Sequence, residues 1–203
     1  MIISSGSSNI LIFLINTLSY LFVMALLLRF LTQLLRGDYY NPITQFIVKI
    51  TQPVLNLVNR FIPRHSIIDL AAIFLAIVII FLKILSLKML NIEQYSIVGA
   101  MISLQSTSIP ALLYLSMLEI IDFIFDIFFF AIVIQAIMSW LNPATYNPMV
   151  TFLEGLTYPI LNLVRRFIPD LGGIDLSPIL AILLLQIIQM IIFPALIQLI
   201  RII

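Results

Sequence analysis

The chain has 203 residues, 63% of them hydrophobic and 9% charged, with a formal net charge of +1 and a mean hydropathy of +1.21. Soluble domains carry about 25% charged residues, so a water-soluble globular domain is excluded. The near-zero charge, with no long basic run, excludes a nucleic-acid partner. Cysteine is absent and the one histidine is His65, which removes disulfides, thiolate metal sites and thiol catalysis; no metal and no cofactor are expected.

The first nine residues are Ser-rich and lack the positive region and cleavage site of a secretory leader, so the apolar run that follows is expected to stay in the membrane. Residues 10–35 form that run, long enough at about 1.5 Å per residue to cross a hydrocarbon layer of about 30 Å. Arg36-Gly37-Asp38 ends it. Asn41-Pro42 then reads as a helix N-cap followed by proline at the first helical position.

From there Ile43, Phe46, Ile47, Ile50, Val54, Leu57, Val58 and Phe61 recur at helical spacing, with Gln45, Lys49, Gln52, Asn56 and Arg60 on the opposite face. Too polar to span, residues 42–62 suit an amphipathic helix lying among the lipid headgroups, kinked or restarted at Pro53. The rival reading is a shallow re-entrant hairpin bent at that proline. Residues 67–90 form the second span, opened by Asp69 as a cap. Residues 91–115 read as a connecting loop whose apolar run, 97–104, is too short to cross.

The second half repeats the first at a constant offset of 106 residues. Asn41/Asn147, Pro42/Pro148, Thr51/Thr157, Pro53/Pro159 and Asp69/Asp175 agree, as do Arg60-Phe61-Ile62-Pro63 and Arg166-Phe167-Ile168-Pro169. A gapless match of this kind is an internal duplication. It sets the third span at residues 116–141, a second amphipathic helix at 148–168 with its kink at Pro159, and the fourth span at 177–200, opened by Asp175 and Ser177-Pro178. The expected fold is all-α: four transmembrane helices in two tandem, parallel repeats, 1–90 and 116–203, each with a kinked interfacial helix. Arg36, Lys49, Arg60 and Arg64 lie between spans one and two, and Arg165 and Arg166 between three and four, so both amphipathic segments are expected in the cytoplasm and both termini outside.

Several polar groups stand out. Glu119, Asp122 and Asp126 share one stripe of the third span. A carboxylate at such depth costs about 2.5–3.5 kcal/mol unless it is paired, solvated or protonated. Lys83 lies at a similar depth on the second span and is expected to pair with Asp126 or Asp122, first as a contact holding the bundle together and second as part of a proton or cation path. Arg29 reads as a side chain snorkelling to a headgroup, or as a hydrogen-bond donor to Asp69, Asp175 or a lipid phosphate. Lys49, Arg60, Arg64, Arg165 and Arg166 suit anionic headgroups or a docking partner, and the arginines also suit the negative helix ends they occupy. Gln186, Gln189 and Gln198 on the fourth span suit interhelical hydrogen bonds. No spacing of nucleophile and base supports an enzyme.

Leu26-Leu27-Leu28-Arg29, Tyr40-Asn41-Pro42, Thr51-Gln52-Pro53 and Phe61-Ile62-Pro63, with Ser139-Trp140, Arg165-Arg166, Gly172-Gly173-Ile174-Asp175 and Ser177-Pro178 in the second copy, resemble the YggT family of bacterial inner-membrane proteins over nearly the whole chain. Gln135 stands where the family usually has arginine, and the first copy lacks Gly-Gly and Ser-Pro. The resemblance implies no catalytic residues. It implies a place among proteins associated with osmotic tolerance in bacteria and, in plastids, with haem attachment to a cytochrome b subunit and nucleoid distribution. With no cysteine, a haem-related role would guide a partner rather than ligate iron. Two readings follow: a non-catalytic inner-membrane scaffold or assembly and stress-tolerance factor that works through an unidentified membrane partner, and a small cation channel or transporter linked to osmotic tolerance.

Overall fold

The computed structural model describes residues 3–60, 69–141, 147–167 and 175–200. Six helices and one hairpin follow in order: α1 (Ile3–Leu34), α2 (Pro42–Val58), α3 (Leu70–Met89), β1 (Gln94–Ile97), β2 (Ala100–Ser103), α4 (Ile109–Leu141), α5 (Pro148–Arg165) and α6 (Ser177–Ile200). Asn9–Leu34, Leu70–Met89, Ile109–Ser139 and Ser177–Ile200 are the four membrane-spanning stretches. They form a row in which α1 packs on α3, α3 on α4, and α4 on α6. The core sits along the middle of that row, where Leu27, Ile80, Ile84, Leu112 and Leu115 have no exposed surface.

Local chemistry sets the helix ends. Asn41 accepts a hydrogen bond from the Ile43 amide at 2.8 Å, and Asn147 accepts the Met149 amide at 2.9 Å, each just before a proline in the first turn. Helix α1 stops in a Schellman turn: Gly37 N–H returns to the Thr32 carbonyl and Arg36 N–H to Gln33, with Arg36 at φ 55°. Asn91, at φ 56°, ends α3 in the same way. Helix α4 begins seven residues before the expected 116, because Ser108 supplies a cap to the Ala111 amide and Pro110 fits the first turn.

Helices α2 and α5 both lie at the end of the bundle where α1 and α4 finish, and they touch each other there. The Asn41 amide donates to the Pro148 carbonyl at 2.7 Å, tying the start of α2 to the start of α5. Each runs as one uninterrupted helix through its proline, so neither restarts there nor folds into a re-entrant hairpin. Pro53 leaves only the Lys49 carbonyl without its helical donor, and Lys49 is on the exposed side. Helix α2 has three faces rather than two. Thr44, Ile47, Thr51 and Leu55 pack on the bundle, Phe46, Ile50 and Leu57 are exposed and apolar, and Lys49, Asn56 and Arg60 form the exposed polar stripe.

The connecting segment is not an unstructured loop. Gln94–Ile97 and Ala100–Ser103 pair antiparallel, with Ile97 opposite Ala100, and the two-residue turn has both Val98 (φ 46°) and Gly99 (φ 74°) in the left-handed region that a type I′ hairpin requires. Ile97 and Leu104 are buried against the core, so the apolar run at 97–104 docks the hairpin over the end of the bundle opposite α2 and α5. Lys88 fastens it by donating to the Thr107 carbonyl at 2.5 Å.

Candidate functional site

Three helices converge under the hairpin, which adds a side chain of its own. Lys83 on α3 is buried and ion-paired with Glu119 on α4, which is equally buried. Its ammonium also donates to the Tyr95 hydroxyl at 2.8 Å and lies 4.3 Å from the centre of the Tyr20 ring on α1, a cation–π arrangement. The Tyr95 hydroxyl donates to the other Glu119 oxygen at 2.5 Å. Burial, and then the charge of Glu119, push the Tyr95 phenol far above its ordinary range, so it remains a donor. A buried charge pair is tolerated where its remaining lone pairs and protons are satisfied, and here both carboxylate oxygens are bonded.

The partner of Lys83 is therefore Glu119, neither Asp126 nor Asp122. Depth reckoned along each helix locates a Cα and not the charge at the end of a long side chain, and the Lys83 ammonium meets Glu119, the member of the acidic stripe nearest the start of α4. Asp122 is bonded instead to Gln189 on α6, whose amide donates at 2.5 Å. Asp126 is exposed and has no hydrogen bond or ion pair to any described residue.

A second set of contacts ties the three helices of each repeat at the opposite end. In the first copy Arg29 Nε donates to Asp69 at 2.9 Å and Nη1 to Thr51 at 3.0 Å, joining α1, α2 and the cap of α3. Asp69 also accepts the Ala72 amide at 3.2 Å. Arg29 therefore makes the internal hydrogen bond rather than snorkelling to the surface. In the second copy Gln135 pairs with the Thr157 hydroxyl, while Asp175 accepts the Ser177 amide at 2.9 Å and the Arg165 guanidinium at 2.7 Å. Burial works to raise the Asp175 carboxyl, but the hydrogen bonds from Ser177 and Arg165 outweigh it and hold the group below its ordinary value. Arg60, Lys49 and Arg166 are exposed. Arg64 and His65 lie outside the described residues.

Along α6, Gln186, Gln189 and Gln198 line an open groove of about 590 Å³ with Met190, Pro194 and the hairpin turn. Among the described residues no three His, Cys, Asp or Glu side chains gather as metal ligands.

The CCB3/YggT family matches residues 8–90 and 114–196, two windows set 106 residues apart. The chain belongs to the CCB3/YggT family. An uncharacterized protein of Pseudomonas aeruginosa is 42% identical over 187 residues, covering 92% of this chain and 90% of its own. The uncharacterized protein YggT of Escherichia coli is 35% identical over 182 residues, covering 90% and 88%. YlmG homolog protein 2, chloroplastic, of Arabidopsis thaliana is 45% identical over 58 residues, covering 27% of this chain and 22% of that one. No solved structure matches.

The CCB3/YggT windows sort the contacts by kind. The Arg29 and Gln135 clips each lie inside one repeat. Lys83–Glu119 joins the first repeat to the second, and Tyr95 comes from the hairpin between them. Gln189 makes the interhelical hydrogen bond expected of it, whereas sequence reasoning does not single out Tyr20, Tyr95 or Thr51 as site residues. Thr51 and Thr157 carried a usable signal, being identical polar residues on an otherwise apolar face in both copies. Tyr95 carried none, because its position depends on the hairpin.

Proposed function

We propose that this chain is a non-catalytic scaffold or assembly factor of the bacterial inner membrane, with α2 and α5 forming a cytoplasmic platform for anionic headgroups and a membrane-protein partner, and both termini outside. The observation that carries this reading is the closed Lys83–Glu119–Tyr95 cluster, in which the most buried charges satisfy one another instead of lining a path for solute. The exposed cations Lys49, Arg60 and Arg166 are left at the platform surface, where anionic lipid attracts each basic side chain by about 1 kcal/mol. Osmotic tolerance is the process in which such a factor would act.

One observation favours the second reading, a cation channel or transporter. Asp126, Gln186 and Gln189 place polar groups in mid-span beside an open groove. Purified protein in anionic liposomes separates the two. The scaffold reading expects no cation flux, liposome binding weakened by Lys49→Ala with Arg166→Ala, and a co-purifying membrane protein lost on the same change. Flux that disappears on Asp126→Asn would establish the channel instead.

A further inference from the structure

The two repeats use their second span differently. Helix α3 is enclosed between α1 and α4, whereas α6 packs on α4 and α5 and leaves its far face open. At the offset of 106, Ile80 and Ile84 on α3 correspond to Gln186 and Met190 on α6. The first pair is fully buried; Gln186 is exposed and Met190 is 78% exposed. The face that the second repeat covers on α3 is thus uncovered on α6.

Polar groups border that face. The Asp122–Gln189 bond fixes a common level on α4 and α6. Counting toward the α5 end, Asp126 lies four residues, about 6 Å, below it and Gln186 three residues, about 4.5 Å. A carboxyl and an amide therefore stand at nearly one depth on adjacent helices, both exposed within the apolar layer and neither bonded to a described residue. Lipid tails satisfy neither group, and in a membrane such groups bond across helices.

We propose that the chain forms a two-fold symmetric dimer in the membrane, with α6 of each copy packed on α4 of the other and Asp126 of one copy hydrogen-bonded to Gln186 of its partner. A two-fold axis along the membrane normal keeps depth unchanged, so groups at one level meet twice. It also sets α6 antiparallel to the partner's α4, the same sense in which α3 packs on α4 within the chain. A head-to-tail arrangement would instead place α6 on α1 of the next copy. There Tyr20, whose ring is already turned onto Lys83, stands in place of Asp126, so Gln186 would meet no carboxyl.

The absence of native cysteine makes disulfide trapping clean. Leu183→Cys on one tagged full-length copy and Phe130→Cys on another sit one turn below the Gln186–Asp126 pair, and both positions are exposed. Met24→Cys, the repeat counterpart of position 130, reports the head-to-tail arrangement. Oxidation in native membranes is expected to link Leu183→Cys to Phe130→Cys. Asp126→Leu removes both reciprocal bonds and should lower the linked fraction roughly tenfold at the average strength of a membrane hydrogen bond. Gln186→Leu, which leaves every carboxyl in place, should do the same while the melting of the solubilised monomer is unchanged. A link to Met24→Cys, a link to a different protein, no link at all, or a dimer indifferent to both leucine variants overturns the proposal.

Discussion

Arg29 and Asp69, 40 residues apart in sequence, meet at 2.9 Å and so fix the end of α1 to the start of α3, with Thr51 of α2 on the same guanidinium. The second copy keeps the threonine and the aspartate but moves the positive charge. Gln135 stands in place of Arg29, and Arg165 stands in place of Asn59. The duplicated unit therefore needs a cation on its aspartate and accepts it from either of two helices. Arg29→Gln should destabilise the solubilised protein by about 3 kcal/mol, since it leaves Asp69 with little exposure and no counter-charge. Adding Asn59→Arg to that variant should restore part of the loss by copying the second repeat. Denaturant or thermal unfolding in detergent reads both, and a double variant no more stable than Arg29→Gln would refute the equivalence.

Lys83 and Glu119 link the repeats. Removing either charge alone leaves the other buried, so Lys83→Leu or Glu119→Leu is expected to cost about 3–5 kcal/mol. The double leucine variant strands no charge and should be more stable than either single one, which a double-mutant cycle measures directly. Tyr95→Phe isolates the hairpin's share: it removes one hydrogen bond at each of two charged groups, each worth about 1.5–3 kcal/mol.

The spans and the two same-end amphipathic helices could be read because they depend on patterns that the duplication states twice. Asn41 and Asn147, or Asp69 and Asp175, mark helix starts by local chemistry alone. The hairpin could not be read so easily. Its strands are four residues each, and its turn is Val-Gly rather than the Asn-Gly or Asp-Gly that announces such a turn. Val98 adopts φ 46° despite its branched side chain while packing against the core, a tertiary contact invisible to local rules. Since Tyr95 depends on that hairpin, half of the environment of Lys83 was hidden as well.

Acid should loosen the corner between α5 and α6. The Asp175 carboxyl is held below its ordinary value, so the folded state binds its proton less readily than the unfolded chain does. Its contribution is complete above about pH 4 and is lost as the pH falls through the lower folded value. Both side chains are nearly half exposed, which keeps the effect small through solvent screening. Melting temperature measured from pH 6 down to pH 2.5 should fall less for Asp175→Asn than for the native chain. Equal slopes would show that the Arg165 and Ser177 contacts do not operate in solution.

Gly99 offers a test of the hairpin that touches no charged group. A β-carbon built there meets nothing within 4 Å, so space does not oppose a substitution. The backbone does, because φ of 74° lies in the left-handed region, where an L side chain costs about 1–2 kcal/mol. Gly99→Ala should destabilise the protein by that amount and should increase amide exchange at Tyr95 and Ile97 before it does so in α3. Because Tyr95 shields the Lys83–Glu119 pair, the same variant should make Lys83 more reactive toward a small amine-specific reagent. An alanine variant with native stability and an unreactive Lys83 would mean that the hairpin does not cover the pair.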